Sequence, residues 1–361
     1  MYDYIIKTLD ERTLYFFENG GICVKDLSSK SNKYKVIYED GVKDFAVEDL
    51  GFGKVGIVCQ NKEGSIVFIK EDGENYIKTT LLNNKSQVYY DKYFKLKLHG
   101  NWLGLSYIIE YNNNNILCFQ LVDNENEPPL AVDYVINKTY FSFVNESFDR
   151  IFFYNKENEF GYKNYRWSKK DFTEYEKIDE GQIVHIINDF SDNFYIVYLK
   201  NNKYFLKLLK RNDDGFIYED YPLDFIDLFD EIVMMIENKN LWIVVKRYNF
   251  TFGRKTDINE ISFSPQYNFF CDGEIRSFPL SVRDKEKKAE FLFGTLENGR
   301  PELILYKDLY NFKNSVKVMG REIKKEDTPF YKMGIEINKL SIRLSNLEKK
   351  VSEYLGKGKI E

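Results

Sequence analysis

The residues Gly51, Gly53, Gly56 and Val58 follow a Gly-x-Gly-x-x-Gly-x-Val spacing, and Val67-Phe-Ile69-Lys70 comes shortly after. Glycines at that spacing let backbone amides approach nucleotide phosphates, and a strand lysine neutralises them. Phosphoryl transfer of that type also needs a His-Arg-Asp catalytic loop and an Asp-Phe-Gly metal site. Neither tripeptide occurs in the chain. A dinucleotide fingerprint fails as well, because the glycines lead into a strand-like run instead of a helix. The sequence therefore assigns these glycines to turns and Lys70 to a strand end, with no cofactor site.

The other chemistry-bearing groups are sparse. His99 and His185 are too few for a histidine metal site, and the sequence around each predicts a structural histidine with satisfied nitrogens. Cys23, Cys59, Cys118 and Cys271 lie far apart, so they form neither a zinc nor a redox motif and read as buried thiols of a reducing compartment. Asp224, Asp227, Asp230 and Glu231 could gather a cation or supply paired carboxylates. Their spacing among Phe225, Ile226, Leu228 and Phe229 predicts instead a short amphipathic turn, since no Asp-x-Asp-x-Asp-Gly loop accompanies them. The stretch from Lys246 to Thr256 interleaves four basic with three aromatic side chains, a local pattern for anion or nucleic-acid contact. Trp102, Trp167 and Trp242 lie in strand-like runs, where large aromatics fill space between sheets. No catalytic, cofactor or metal residue is assigned.

Composition narrows the class further. With 28 Tyr and 30 Phe against 7 Pro in 361 residues, the chain favours half-buried pleated surfaces. A net charge of -5 with no basic block argues against nucleic-acid binding as the main role. The N-terminal run has no secretory pattern and no segment has the length of an apolar membrane span, so the expectation is a soluble cytoplasmic protein.

The elements that must carry these residues show a repeat. Paired apolar-alternating runs flank short Asn, Gly, Lys or Glu turns near residues 20, 63, 113, 158, 201, 238 and 298. Each reads as a β-hairpin, and between most successive hairpins there is room for two further strands. The segment 43–82 illustrates this, with "KDFAVEDLG" as an inner strand, "KVGIVCQ" and "SIVFIKE" as the central hairpin, and "YIKTTLLN" outermost. On these hairpins residues 1–322 resemble β-propeller repeat proteins. The resemblance implies an all-β ring of seven four-stranded blades, although six or eight blades satisfy similar spacing. Residues 323–328 form a linker.

The period then changes. Phe330, Ile337, Leu344 and Val351 recur every seven residues, with Met333, Leu340, Leu347 and Tyr354 between them. This a/d seam predicts a C-terminal coiled-coil helix over 329–361, opened by Asp327, Thr328 and Pro329 and ended by Gly356 and Gly358. A lone helix with an apolar seam demands a partner, and these eight residues are the expected homo-oligomer interface. The whole reads as a non-enzymatic binding or scaffold protein, with a protein or glycan partner on a propeller face, and suits a component of a coat or phage-type assembly. The alternative is a propeller enzyme acting on carbohydrate or polysaccharide.

Overall fold

The computed structural model describes residues 4–304, apart from 8–11, 30–32, 53, 74, 85–89, 123–127, 145–149, 190, 213–214, 249, 270–273, 283–286 and 298–299. The chain divides into Met1–Val318 and Met319–Glu361. The second unit, with the coiled-coil helix and its eight seam residues, lies outside the described residues.

Every element described is a strand. The first group comprises β1 (Tyr4–Lys7), β2 (Arg12–Glu18), β3 (Gly21–Asp26) and β4 (Lys35–Tyr38). Next come β5 (Gly41–Gly51), β6 (Lys54–Asn61), β7 (Ile66–Asp72) and β8 (Asn75–Leu82), then β9 (Lys95–His99), β10 (Trp102–Tyr111), β11 (Asn114–Leu121) and β12 (Leu130–Val135). Five strands follow, β13 (Tyr140–Val144), β14 (Arg150–Lys156), β15 (Glu159–Arg166), β16 (Asp171–Phe172) and β17 (Glu176–Glu180). The next four are β18 (Gln182–Asn188), β19 (Phe194–Lys200), β20 (Lys203–Asn212) and β21 (Gly215–Pro222). The last are β22 (Glu231–Glu237), β23 (Asn240–Arg247), β24 (Phe250–Asp257), β25 (Tyr267–Phe269), β26 (Arg276–Val282), β27 (Lys287–Ala289), β28 (Phe291–Glu297) and β29 (Arg300–Leu303).

Within β1–β4, β5–β8, β9–β12, β13–β16, β18–β21 and β22–β25 consecutive strands pair antiparallel, as short turns between alternating runs require. The turns use residues that tolerate positive φ, including Gly20 at 81°, the pair Asn112 and Asn113 at 50° and 61°, and the pair Asn201 and Asn202 at 51° and 61°. Other pairings go beyond a simple meander. β17 adds to the β15 edge beside β16. β27 pairs with the inner strand β22, Met235 opposite Ala289 and Ile236 opposite Lys288. β1 pairs parallel with β26, Ile5 opposite Leu280, so that the first sheet continues into β26, β28 and β29.

A short four-stranded sheet has two faces and cannot bury both alone. Here the apolar clusters lie between successive sheets. Leu96, Leu105 and Tyr107 pack on Ala46, Val58 and Phe68. Phe119 and Leu117 pack on Phe152 and Tyr154, and Phe153 and Phe160 on Phe194, Ile196 and Tyr198. Val197 and Leu206 meet Met234 and Ile243, while Met235 and Val244 meet Phe278, Leu292 and Leu14. Tyr15 and Ile22 join Phe45 and Ile57, which closes the circuit. This is a β-propeller: each sheet covers its neighbours' faces, and the parallel β1–β26 pair ties the start of the ring to its end.

Candidate functional site

The inner strands β5, β9, β13, β18 and β22 turn one side of their alternation toward the ring axis. In β9 the apolar Leu96 packs between sheets, which sends Lys95 and Lys97 to the opposite side. These lysines line a cavity of about 80 Å³ together with Glu48 of β5, Glu290, Phe291 and the apolar Phe94 and Leu280. Glu290 arrives by an irregular route. β27 lies along β22, and the chain then bends so that the Glu290 carbonyl accepts from Leu280 N at 2.8 Å and returns to β26. The sequence alone does not show this concentration of charge on the inner strands. The signal was the pair of lysines alternating with leucines in "KLKLH".

The charges are arranged unevenly. Lys97 Nζ lies 3.6 Å from Glu290 Oε1. Burial alone would lower the Lys97 pKa, but the Glu290 and Glu48 carboxylates outweigh it and hold it above the ordinary value. Glu290 is the mirror case: burial opposes its charge, and Lys97 and Lys95 keep its carboxyl below the usual range. Lys95 is different. Its ammonium sits 4.5 Å from the Phe141 ring centroid and 5.1 Å from that of Tyr140, and its side chain has no hydrogen-bond acceptor among the described residues. Burial brings its pKa down to about 8, with Glu290 opposing and Lys97 and Arg150 reinforcing the fall. Lys288, beside the same group, is lowered to about 8 by burial and by Lys97.

His185 lies next to this cavity, its ring 6.0 Å from Phe141 and 5.9 Å from the cavity-lining Phe291. Satisfied nitrogens were expected here, and the structure corrects that. The residue is 5% exposed, and neither ring nitrogen has a hydrogen-bond partner of good geometry among the described residues. Burial lowers its pKa to about 4, so it is neutral near pH 7. A β-bulge between Ile183 and His185 places this side chain on the axial side of an otherwise apolar strand.

Arg150, at the start of β14, is 1% exposed. Its Nε donates to Ser142 Oγ at 2.7 Å and the guanidinium lies over Phe119 and Phe152, 4.9 and 5.4 Å from the ring centroids. One terminal nitrogen has no partner, and burial brings its pKa down to about 10. Beyond it a shelf of aromatic rings reaches the surface: His99 stacks on Trp167 at 5.9 Å, and Trp167 meets Trp102, which is 47% exposed.

The other candidates take structural places. The glycine loop is the β5–β6 turn: Gly51 has φ 84° and donates its N–H to Asp49 Oδ1 at 2.7 Å, while Gly56 sits opposite Lys70 in the β6–β7 ladder. Asp227 and Asp230 form a turn clamped by Arg247, whose guanidinium reaches them at 2.8 and 2.7 Å. Glu231 pairs with Lys246 at 2.7 Å. The remaining cations of the 246–256 stretch lie on rings, Arg254 over Phe225 and Lys255 over Trp242. Trp242 is buried against Phe269 in the core. Cys23, Cys59 and Cys118 are buried free thiols, and burial pushes Cys118 up to about 12; Cys271 lies outside the described residues. Among the described residues no three His, Cys, Asp or Glu side chains gather as a metal site, and no helix is long and apolar enough to cross a membrane.

No protein-family model matches this chain, and no curated protein matches it by sequence. Solved structures do. A puromycin hydrolase is similar with a TM-score of 0.54 and 9% identity, over 84% of this chain and 53% of that one. A structure from a study of two prolyl endopeptidases is similar with a TM-score of 0.52 and 10% identity, over 81% of this chain and 45% of that one. Both neighbours are β-propeller proteins, and this chain spans about half the length of each. At such identities the likeness shows the fold alone.

Proposed function

We propose that this chain is a non-enzymatic binding protein, a propeller that presents a ligand or partner site and self-associates through its C-terminal heptad segment. The observation that carries the reading is the character of the axial groups. Lys95, Lys97 and Arg150 stand with the carboxylates Glu48 and Glu290, while Lys288 beside them is also within reach of Asp189 and Asp192, so the cavity itself carries an excess of positive charge suited to an anion. His185, with its pKa near 4, is a weak base at neutral pH. The alternative of carbohydrate hydrolysis calls for a carboxyl held protonated opposite an ionised one. Glu290, beside the lysines, is held ionised instead.

Self-association would convert weak single-ring contacts into avid ones, which suits a protein or glycan partner and a place in a larger assembly. Sedimentation of the full-length chain at micromolar concentration tests it. The expected result is an oligomer that dissociates when Leu340 and Leu347 are both replaced by Asp. A monomeric wild-type chain overturns the multimeric reading.

A further inference from the structure

We infer that the axial cavity binds a small organic monocarboxylate, with Lys95 as the principal donor to the carboxylate and Phe94 and Phe291 receiving the short apolar remainder. This goes beyond the propeller's surface interactions and does not depend on the C-terminal segment. The first ground is an unsatisfied cation. The Lys95 side chain has no acceptor among the described residues, and its surroundings are the rings of Tyr140 and Phe141. Lys95 is half-buried, and an ammonium that no acceptor of the described residues occupies is free to donate to an external anion lodged in the cavity.

The second ground is the local balance of charge. Lys97 already has Glu290 at 3.6 Å, and Glu48 accepts from Leu98 N at 3.1 Å. Both carboxylates would repel a dianion such as phosphate placed beside Lys95, whereas a single negative charge is tolerated. Size and lining agree. The cavity of about 80 Å³ admits a few non-hydrogen atoms, and its walls include Phe94, Leu280 and Phe291 besides the charged groups. It is reachable, since the Lys97 side chain is 32% exposed.

The test uses the full-length chain near pH 7, with propionate as the probe and propionamide and inorganic phosphate as comparisons, followed by titration calorimetry. Propionate should bind saturably, one per chain, at about 1 mM. Lys95→Gln should weaken it about tenfold or more, the scale of one charge-assisted hydrogen bond. Glu290→Gln should tighten it, because an internal competing anion is removed. Thermal melts of both variants report whether they fold; should Lys95→Gln fail to do so, the Glu290→Gln result decides. The inference is overturned if propionate fails to saturate, if propionamide or phosphate binds as tightly, if folded Lys95→Gln retains full affinity, or if Glu290→Gln leaves affinity unchanged or weaker.

Discussion

The guanidinium of Arg150 occupies the space that a side chain on Gly104 would need. A β-carbon at Gly104 would collide with the Arg150 guanidinium and come within 2.8 Å of the Phe119 ring. Arg150 has little freedom to retreat, because Ser142 holds its Nε and the rings of Phe119 and Phe152 lie against it. The glycine in β10 and the arginine in β14 are therefore one packing unit shared by two neighbouring sheets.

Gly104→Ala should cost roughly 2–3 kcal/mol, the scale of overpacking in a dense core. In an Arg150→Met background the same change should cost less than half as much, because the flexible thioether leaves room. Denaturant unfolding of the four chains gives the coupling. Equal costs in both backgrounds would mean that Arg150 does not fill that space.

His185 sets an acid limit on stability. The unfolded imidazole takes a proton near its ordinary pKa of 6.5, whereas in the fold it does so near 4. Between those values the unfolded state binds more protons, so stability falls as pH falls from 6.5 toward 4. At about 1.4 kcal/mol per unit the full loss is roughly 3 kcal/mol. Asp44 acts in the opposite sense over an overlapping range. Burial raises its pKa to about 6 despite a bond from Lys92 N, so its contribution improves as pH falls through 6. Comparing wild type with His185→Leu cancels the Asp44 part. The stability difference between the two chains should shift by about 3 kcal/mol between pH 7 and pH 4, in favour of the variant at acid pH. A constant difference would show that His185 protonates equally easily in the fold.

The ring's strands were legible because they obey local rules. Alternation in "KVGIVCQ" and "SIVFIKE" and the polar turn between them correspond to β6 and β7, and the inner and outer runs of the same unit correspond to β5 and β8. The glycine loop was resolved by the same reasoning, since glycines that precede a strand serve a turn. What could not be read was the meeting of distant residues at the axis. Lys95, His185 and Glu290 converge only after the circuit of sheets closes, and no local pattern marks that encounter. Glu290 was harder still, because β27 lies beside β22 outside the hairpin repeat. The surroundings of the His185 nitrogens were hidden for a related reason: the ring lies at an irregularity of the β18–β19 ladder, between the rings of Phe141 and Phe291 from other sheets.

Proton uptake on carboxylate binding tests the central claim most directly. Lys95 faces Glu290, Lys97 and Arg150, and in the free protein it is partly deprotonated at pH 8 because burial holds its pKa near that value. An anion beside it favours the charged form and raises that pKa. Calorimetry with propionate at pH 8, repeated in buffers of different ionisation enthalpy, should show uptake of roughly half a proton per bound anion, and affinity should decline above pH 8. Binding with no proton uptake, or with proton release, would contradict the assignment of Lys95 as the donor.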